Sequence, residues 1–245
     1  MLTHLSLFSG IGGLDLAAEW AGIQTVGQCE WADFPTKVLE KHWPDVPRWR
    51  DIRTLTGESF YERTGLHTVD IISGGFPCQP FSVAGKQRGK EDDRYLWPEM
   101  LRIIRELRPT WAIGENVTGI IRMALDDVLS DLESEGYTTR TFVLPAAGVG
   151  AMHRRYRTAI VAHADRIGME RSSEKQILGK RYISSGQVSE PFQDAERRYD
   201  TYRSRLCRSL YGIPNGVDRV RALGNAVVPQ QFYPIFRAIV ATQRN

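Results

Sequence analysis

His4-Leu5-Ser6-Leu7-Phe8-Ser9-Gly10-Ile11-Gly12-Gly13 lies near the start of the chain and decides the fold class. Its first half is typical of a short β-strand, and its second half is typical of a tight glycine-rich turn. The apolar residues from Leu14 to Ala21 then recur at the spacing of one helix face, and Gly22 is placed to end that helix. A strand, a turn and a helix in this order predict the first unit of a parallel α/β sheet.

The following segments repeat the same alternation. Gln24 to Cys29 has the pattern of a second strand, Phe34 to His42 that of a helix, and Arg50-Asp51-Ile52 that of a third strand end. Such a βαβαβ beginning requires crossover connections, which place helices on both faces of the sheet. The predicted fold class is therefore α/β, with a doubly wound, mostly parallel, Rossmann-like sheet.

Later patterns extend this sheet and add one region of different character. Strand and helix patterns continue at 69–72, 97–107, 111–114, 124–132, 139–144, 158–162 and 229–242. The segment 163–215 is instead polar, charged and poor in apolar periodicity. We therefore predict one domain formed by 1–162 plus 216–245, and a small irregular second domain at 163–215.

Composition excludes several classes of protein. The 245 residues are 42% hydrophobic and 25% charged, and no apolar run reaches the roughly 18 residues of a membrane span. The net charge of +3 is compatible with a polyanionic partner. Cys29, Cys78 and Cys207 are too few and too widely spaced for a disulfide framework or a zinc site. We therefore expect no metal, no membrane association and a reducing cytoplasm.

The glycine-rich turn has the pattern of a nucleoside-binding site. Gly10 and Gly12 would let a ligand approach the backbone, and Glu30 at the end of the next strand could bind ribose hydroxyls. Asp15 stands where a dinucleotide-binding turn has its third glycine, and its charge would repel a pyrophosphate. The pattern favours a nucleoside ligand without phosphates, commonly S-adenosylmethionine, over an ordinary βα turn.

Two acidic residues, each followed by an apolar residue, extend this expectation. Glu30-Trp31 and Asp51-Ile52 end successive predicted strands, so both pairs should lie over one edge of the sheet. Trp31 and Ile52 are then available to sandwich an adenine, while the acids hold the ribose and the exocyclic amine. Each acid alone is more often a helix N-cap or a solvated strand end, and the glycine-rich turn beside them is what favours a ligand contact.

A second constellation centres on Gly74-Gly75-Phe76-Pro77-Cys78-Gln79-Pro80-Phe81-Ser82. Its prolines restrict the backbone around Cys78, and Glu115 also ends a predicted parallel strand, so both side chains should face one crevice. A catalytic thiol requires a positive or hydrogen-bonding setting, which the arginines of 153–157 would supply. Glu115 would donate a proton if burial raised its pKa. The alternatives are an inert core cysteine and an Asn-Glu turn.

Five motifs together resemble, in identity and order, those of the cytosine-C5 DNA methyltransferases. They are Phe8-Ser9-Gly10-Ile11-Gly12-Gly13, Gly75-Phe76-Pro77-Cys78-Gln79-Pro80-Phe81-Ser82, Glu115-Asn116-Val117, His153-Arg154-Arg155-Tyr156-Arg157 and Ala222-Leu223-Gly224-Asn225-Ala226-Val227-Val228-Pro229. They span nearly the whole chain. The resemblance implies a Rossmann-like methyltransferase sheet, with 163–215 as a short target-recognition region.

The resemblance also implies a reaction. A cytosine is flipped out of duplex DNA, Cys78 attacks C6, and Glu115 binds and protonates N3. C5 then takes the methyl group from S-adenosylmethionine, and Cys78 is expelled after the C5 proton is removed. Arg155 and Arg157 match the paired arginines that hold the flipped cytosine and its phosphate.

The motifs assign candidate residues to each ligand. The catalytic candidates are Cys78, Glu115, Arg155 and Arg157. The cofactor-binding candidates are Phe8, Ser9, Gly10, Gly12, Gly13, Glu30, Trp31, Asp51, Ile52, Gly75, Pro77, Leu96, Asn225 and Val227. The DNA-binding candidates are Gln79, Ser82, Lys86, Gln87, Arg154 and Arg155.

The chain departs from the family pattern at the arginine motif and the recognition region. His153 stands where the family usually has Gln, which makes that position titratable. The region before Asn225 is short for target recognition, and Asp218-Arg219-Val220-Arg221 is the only remnant of the usual charged helix.

The substrate and the protein class retain alternatives. We expect a monomeric bacterial or phage-encoded enzyme acting on double-stranded DNA at a site that the sequence does not specify. A tRNA-directed cytosine-C5 methyltransferase shares the same motifs, although the Cys-Phe-Thr signature of that branch is absent. A catalytically silent DNA-binding relative would have no need of the nucleophile Cys78.

Overall fold

A computed structural model describes residues 1–78, 95–164 and 216–243. Within these ranges the chain forms one seven-stranded sheet in the order β3-β2-β1-β4-β5-β7-β6. The strands are β1 Thr3–Leu7, β2 Gln24–Cys29, β3 Arg48–Trp49, β4 Ile71–Gly74, β5 Trp111–Val117, β6 Tyr137–Leu144 and β7 Arg157–Ala164. The first five are parallel, whereas β7 runs antiparallel to both β5 and β6. The predicted doubly wound, mostly parallel sheet is confirmed.

Eight α-helices occur in the described ranges. They are α1 Gly13–Trp20, α2 Asp33–His42, α3 Gly57–Thr64, α4 Trp97–Leu107, α5 Ile120–Met123, α6 Leu125–Ser134, α7 Gly216–Asn225 and α8 Pro229–Thr242. Short 3-10 helices cover Ile52–Thr54 and Ala146–Val149. None of the helices in this part of the chain is long and apolar enough to cross a membrane.

The core forms two layers, one on each face of the sheet. The larger layer includes Phe60 from α3 and Trp97 from α4, and the smaller contains Leu14 from α1 with Phe232 and Phe236 from α8. The last helix therefore packs beside the first. Both faces of the central strands are therefore covered: all four residues of β4 are buried, and so are the last four of β1.

Strand register places the ends of the central strands side by side. Leu7 pairs with Cys29 on one side and Gly74 on the other, and Gly74 pairs with Gly114. The residues that follow these positions therefore emerge along one edge of the sheet, where parallel sheets place their ligands. The candidate site is built at this edge.

Some predicted element boundaries differ from the structure. The third strand ends at Trp49, and Asp51 instead caps a 3-10 helix by accepting a hydrogen bond from the Arg53 backbone N–H at 3.0 Å. The fifth strand continues through Val117, because β7 pairs with its whole length. β7 reaches Ala164, two residues beyond the proposed domain boundary, and the rest of the predicted second domain lies outside the described residues.

Candidate active site

Cys78 lies directly after the β4 turn, and its side chain is held from the neighbouring strand. Its Sγ donates a hydrogen bond to Asn116 Oδ1 at 2.7 Å, and Asn116 Nδ2 donates to the Phe76 carbonyl at 2.9 Å. The Pro77 carbonyl accepts from the Leu96 backbone N–H at 3.3 Å. The asparagine therefore fixes both the thiol and the loop that carries it. The sequence motif Glu115-Asn116-Val117 contains this asparagine, but the motif alone did not predict its contact with Cys78.

The surroundings of Cys78 keep its thiol protonated. Burial raises the pKa of Cys78 most, and the nearby carboxylate of Glu115 raises it further, against the hydrogen bonds that lower it. The arginines expected to stabilise a thiolate make other contacts, Arg157 with Glu115 and Arg155 with backbone carbonyls near the C-terminus. The structure therefore presents a thiol that needs a change in its surroundings before it ionises.

Glu115 is a buried carboxyl at the end of the sheet. Its Oε1 lies 2.8 Å from Arg157 Nε, and the two side chains are 11% and 13% exposed. Burial raises the pKa of Glu115, while the charges of Arg157 and Arg155 and the hydrogen bond from Arg157 lower it. The net direction is upward, so this carboxyl keeps a proton to a higher pH than an exposed glutamate does.

Gly75 makes the position of Glu115 possible. A Cβ built at Gly75 would lie 2.7 Å from Glu115 Oε2, closer than real Cβ contacts occur. Only a glycine therefore lets this carboxyl pass beside the loop that leads to Cys78. The predicted cofactor residue Gly75 thus has a structural role between the two candidate catalytic groups.

The glycine-rich turn has the backbone geometry of a ligand-binding loop. Gly10 and Gly12 have φ of 56° and 84°, and Phe8 also has a positive φ of 53°, which is unusual for an aromatic residue. Ser9 is buried, and its backbone N–H donates to the Cys29 carbonyl at 3.0 Å. The turn is therefore tied to the end of β2.

Glu30 braces this turn. Its two carboxylate oxygens accept hydrogen bonds from the backbone N–H groups of Gly10 and Ala32, both at 2.8 Å. Each carboxylate oxygen has a second lone pair, so a ribose hydroxyl can still donate to it. The predicted ribose acid therefore also joins the glycine turn to the start of α2.

The two apolar residues predicted to sandwich an adenine differ in exposure. Trp31 is 72% exposed beside Glu30 and offers a free ring face, whereas Ile52 is only 4% exposed and belongs to the larger core layer. Asp51 uses one oxygen to cap the 3-10 helix. Ile52 therefore presents little surface to a ligand, because it supports the sheet beneath the site.

Asp15 does not face the mouth of the site. Its carboxylate is fully buried and accepts hydrogen bonds from Ser6 Oγ and Gln28 Nε2, both at 2.8 Å. Burial raises the pKa of Asp15 to about 6, against these hydrogen bonds and the charge of Arg48. The predicted repulsion of a pyrophosphate by this side chain is therefore wrong, since the carboxylate turns into the protein.

The C-terminal segment closes over the glycine turn. A Cβ built at Gly13 would lie 2.7 Å from the Val227 carbonyl oxygen and 3.1 Å from the Val227 Cβ. Asn225 ends α7 with an exposed side chain. The structure thus brings the last predicted motif to the first, although the two are separated by most of the chain.

Comparison with known proteins identifies the family. The model of the C-5 cytosine-specific DNA methylases matches residues 2–206, which is more than half of the chain. The chain belongs to this family. The recognised family and the seven-stranded methyltransferase sheet agree with the predictions made from the five motifs.

The chain matches individual members of this methylase family over only part of their length. Type II methyltransferase M.HgiCII of Herpetosiphon aurantiacus is 32% identical over 67% of this chain and 38% of its own, and M.NgoMIV of Neisseria gonorrhoeae is 33% identical over 65% and 51%. A crystal structure described as a prophage-encoded DNA modification methyltransferase (E. coli) has a TM-score of 0.59 at 25% identity, covering 70% of this chain and 49% of that one. The chain spans about half the length of these relatives.

Two of the six predicted DNA contacts, Arg154 and Arg155, lie within the described residues. The predicted DNA contacts Gln79, Ser82, Lys86 and Gln87 lie outside the described residues. Arg154 and Arg155 are half-buried beside the start of β7. Burial lowers the pKa of His153, and the charge of Arg155 lowers it further, which favours a neutral imidazole at the position of the usual glutamine.

Cys29 is the other described cysteine, and it is buried. Burial raises the pKa of Cys29 to about 12, with Glu30 and Asp51 adding to the effect, so its thiolate is disfavoured. In the ranges 1–78, 95–164 and 216–243, no group of three His, Cys, Asp or Glu side chains is placed to hold a metal ion.

Proposed function

We propose that this protein is a DNA (cytosine-5-)-methyltransferase that uses S-adenosylmethionine. The observation that carries the proposal is the placement of Cys78 and Glu115 at one sheet edge, with Gly75 between them and Arg157 on the carboxyl. A thiol nucleophile and a buried acid are the two groups that covalent activation of a cytosine ring requires. Family membership supports the same chemistry.

The residues at the glycine turn fit the cofactor. Glu30 offers free lone pairs for ribose hydroxyls, Trp31 offers an exposed ring for adenine, and Val227 covers Gly13. A bound S-adenosylmethionine supplies an electrophilic methyl group. Since the neighbouring strand ends place Gly10 and Cys78 along the same sheet edge, we propose that cofactor and cytosine meet there.

The protein's own groups would act in sequence on a flipped cytosine. Cys78 Sγ would give its proton to bulk solvent and form a bond to C6, while Glu115 would give its proton to N3, so that the π electrons of the C5–C6 bond become available at C5. After C5 has accepted the methyl group, a base from solvent would take its proton, and the electron pair left behind would reform the C5–C6 double bond as the Sγ–C6 bond breaks. Sγ would leave as a thiolate, and N3 would return its proton to Glu115.

The raised pKa of Cys78 suggests when the thiolate forms. In the free protein the thiol proton is donated to Asn116 Oδ1, and Glu115 disfavours negative charge nearby. When cytosine binds, Glu115 would be protonated so that it can donate to N3, and this neutral carboxyl would not oppose a thiolate before Sγ has bonded to C6. We therefore propose that occupancy of the base site is what activates Cys78.

The decisive experiment uses a duplex that contains 5-fluorocytosine. The fluorine at C5 blocks the elimination step, so wild-type protein with S-adenosylmethionine should form a covalent complex that survives denaturing electrophoresis. Cys78→Ser should form none, and Cys29→Ser should react like the wild type. Absence of a complex with a fluorinated copy of a DNA that the protein methylates would contradict the mechanism.

A parallel assay tests the substrate. Methyl-labelled S-adenosylmethionine is incubated with the protein and either mixed-sequence duplex DNA or total RNA. Label in DNA, lost in Cys78→Ser and Glu115→Gln, supports the proposal. Label only in RNA would instead favour a tRNA-directed enzyme, and label in neither would favour a silent relative. Sequencing of the methylated DNA would then identify the recognised site. We propose that residues 163–215 take part in choosing that site.

A further inference from the structure

The two arginines of the predicted cytosine-binding motif point to different places. Arg157 reaches Glu115, whereas Arg155 Nη2 reaches the backbone at the end of α7. It donates to the carbonyls of Gly224 and Ala226, both at 2.6 Å, with the Leu223 carbonyl at 3.4 Å. We call this group of contacts the C-terminal clasp.

Helix geometry explains why an arginine suits this position. The last four carbonyls of an α-helix have no partner within the helix, and a cation there also complements the helix dipole. α7 ends at Asn225, so the carbonyls of Leu223 and Gly224 belong to its last turn. Arg155 thus caps α7 with a side chain from a distant part of the sequence.

The backbone of Arg155 is also held by the C-terminal segment. Gln231, which is buried on α8, donates from Nε2 to the Arg155 carbonyl at 3.1 Å and to the Leu144 carbonyl at 2.7 Å. Arg155 has a φ of 31°, a left-handed conformation that costs energy for any residue with a side chain. Two contacts hold Arg155 in this strained conformation. Its guanidinium binds the C-terminal end of α7, and its carbonyl accepts from Gln231 near the start of α8.

The clasp lies next to the glycine turn. Ala226, which accepts one of the hydrogen bonds, precedes Val227, and the Val227 carbonyl is the atom that a Cβ at Gly13 would meet at 2.7 Å. Fixing the Ala226 carbonyl therefore fixes the residue that covers the turn. The chain of contacts runs from the start of β7 to the start of α1.

We propose that Arg155 is a positioning residue for the cofactor pocket: its guanidinium holds the end of α7 so that Val227 closes over Gly13. This inference rests on the proposed function, because it takes the glycine turn to bind S-adenosylmethionine. It differs from the sequence-based expectation, in which Arg155 holds the flipped cytosine or its phosphate. Arg157, paired with Glu115, remains the arginine of the base site.

Cofactor affinity measured without DNA tests the clasp. Arg155→Ala should bind S-adenosylmethionine about tenfold more weakly in titration calorimetry, since charge-assisted hydrogen bonds are lost from a segment that must be ordered. Arg155→Lys keeps the charge but not the planar donor, and should lie between the two. Arg157→Ala should bind the cofactor nearly as the wild type does, and Arg140→Ala, on exposed β6, controls for the lost positive charge.

The DNA-dependent readouts separate the clasp from a substrate contact. In steady-state assays Arg155→Ala should raise the KM for S-adenosylmethionine about tenfold and leave the KM for DNA and its salt dependence little changed. Methylguanidinium added at millimolar concentration should restore part of the cofactor affinity of Arg155→Ala but not of Arg140→Ala. If the alanine variant does not fold, the same comparison is made with Arg155→Lys.

Two results would overturn the clasp. Unchanged cofactor affinity in both Arg155 variants would do so, as would a raised KM for DNA with a reduced salt slope, which would return Arg155 to a phosphate. Either result leaves the proposed function intact, because the wild-type protein still binds cofactor. A wild-type protein that binds no S-adenosylmethionine would refute both proposals.

Discussion

Arg157 Nε and Glu115 Oε1 form an ion pair at 2.8 Å between side chains that are both nearly buried. The charge of Arg157 lowers the pKa of Glu115, against burial, which raises that pKa and favours the protonated acid. The pair joins the first residue of β7 to β5 by a side-chain contact two residues along β5 from Val117, the backbone pairing partner of Arg157. The proposed proton donor and its ion-pair partner are thereby held on two paired strands.

Removal of Arg157 should destabilise the protein in a pH-dependent manner. In Arg157→Ala the buried Glu115 has lost its ion-pair partner, so its pKa rises further and its ionised form is costly. We expect the free energy of unfolding to fall by about 3 kcal/mol at pH 8 and by less at pH 5, where Glu115 takes up a proton. Urea unfolding at both pH values measures this, and adding Glu115→Gln should recover part of the loss at pH 8. A loss independent of pH would contradict the argument.

Cys78 should react slowly with alkylating reagents in the free protein. Burial and Glu115 raise its pKa, so little thiolate is present at pH 7, and the rate should rise with pH up to pH 9 without a plateau. Mass spectrometry of peptides after treatment with iodoacetamide measures each cysteine separately. Cys29 should remain unmodified in the folded protein and serves as the internal control. Rapid modification of Cys78 at pH 6 would show a stabilised thiolate instead.

A methyl group at position 75 should damage catalysis more than folding. Gly75→Ala places a Cβ 2.7 Å from Glu115 Oε2, so the carboxyl must shift and its 2.8 Å contact with Arg157 Nε is disturbed. A displacement of the carboxyl by about 1 Å is expected to lower kcat by about 100-fold. Methylation assays and thermal unfolding measure the two effects. Gly57→Ala is the matched control, since its Cβ would make only ordinary contacts at 3.7 Å or more.

A methyl group at position 13 should weaken the binding of the cofactor rather than slow the chemical step. Gly13→Ala would press against the Val227 carbonyl at 2.7 Å and push the C-terminal segment away from the turn. S-adenosylmethionine should bind at least about tenfold more weakly, while formation of the 5-fluorocytosine adduct at saturating cofactor should be retained. Titration calorimetry against wild type and Gly57→Ala tests this. Equal affinity would show that Val227 does not close the pocket.

His4 should make the fold sensitive to acid. It is fully buried between Thr25 Oγ1 at 3.0 Å and Ser73 Oγ at 2.7 Å, and burial lowers its pKa to about 3. An unfolded histidine titrates near 6.5, so the unfolded state takes up more protons as the pH falls from 6.5 towards 3. This group alone should therefore remove stability with a slope of up to about 1.4 kcal/mol per pH unit.

Asp15 has the opposite effect between pH 4 and 6, because burial raises its pKa to about 6 and the folded state retains a proton that the unfolded state has lost. The two contributions therefore largely cancel in the wild type over that range. His4→Asn removes only the histidine contribution, so the variant should lose stability as the pH rises from 4 to 6, with a slope of up to about 1.4 kcal/mol per pH unit. Urea unfolding from pH 4 to 7 measures both slopes, and an unchanged slope in His4→Asn would contradict the assignment to His4.

The sequence predicted the elements whose patterns are local. The glycine-rich turn between β1 and α1, the amphipathic face of α4 and the last helix all carry their own periodicity or turn residues. α3 was not predicted, because it buries only Phe60 and begins with a capping box in which Ser59 takes the place of the usual Glu or Gln. Its signal lies in the Thr56–Ser59 pair rather than in an apolar stripe.

The candidate site was predictable in composition but not in orientation. Motif order indicated that Cys78, Glu115 and the arginines would meet, since strand ends of a parallel sheet share one edge. Which way a side chain turns depends on partners elsewhere in the chain. Asp15 turns inward because Ser6 and Gln28 donate hydrogen bonds to its carboxylate. Arg155 turns to α7 because the carbonyls at the end of that helix accept its hydrogen bonds. Neither partner could be identified from spacing alone.

The contact between Gly13 and Val227 has a consequence for biosynthesis. A ribosome makes Gly13 long before Val227, because most of the given sequence separates the two residues. The nascent protein therefore exposes an uncovered glycine turn until Val227 has been made, and the smaller core layer is incomplete until α8 packs against α1. Long sequence separation of this kind slows folding. The proposed cofactor pocket should thus close only after Val227 has left the ribosome.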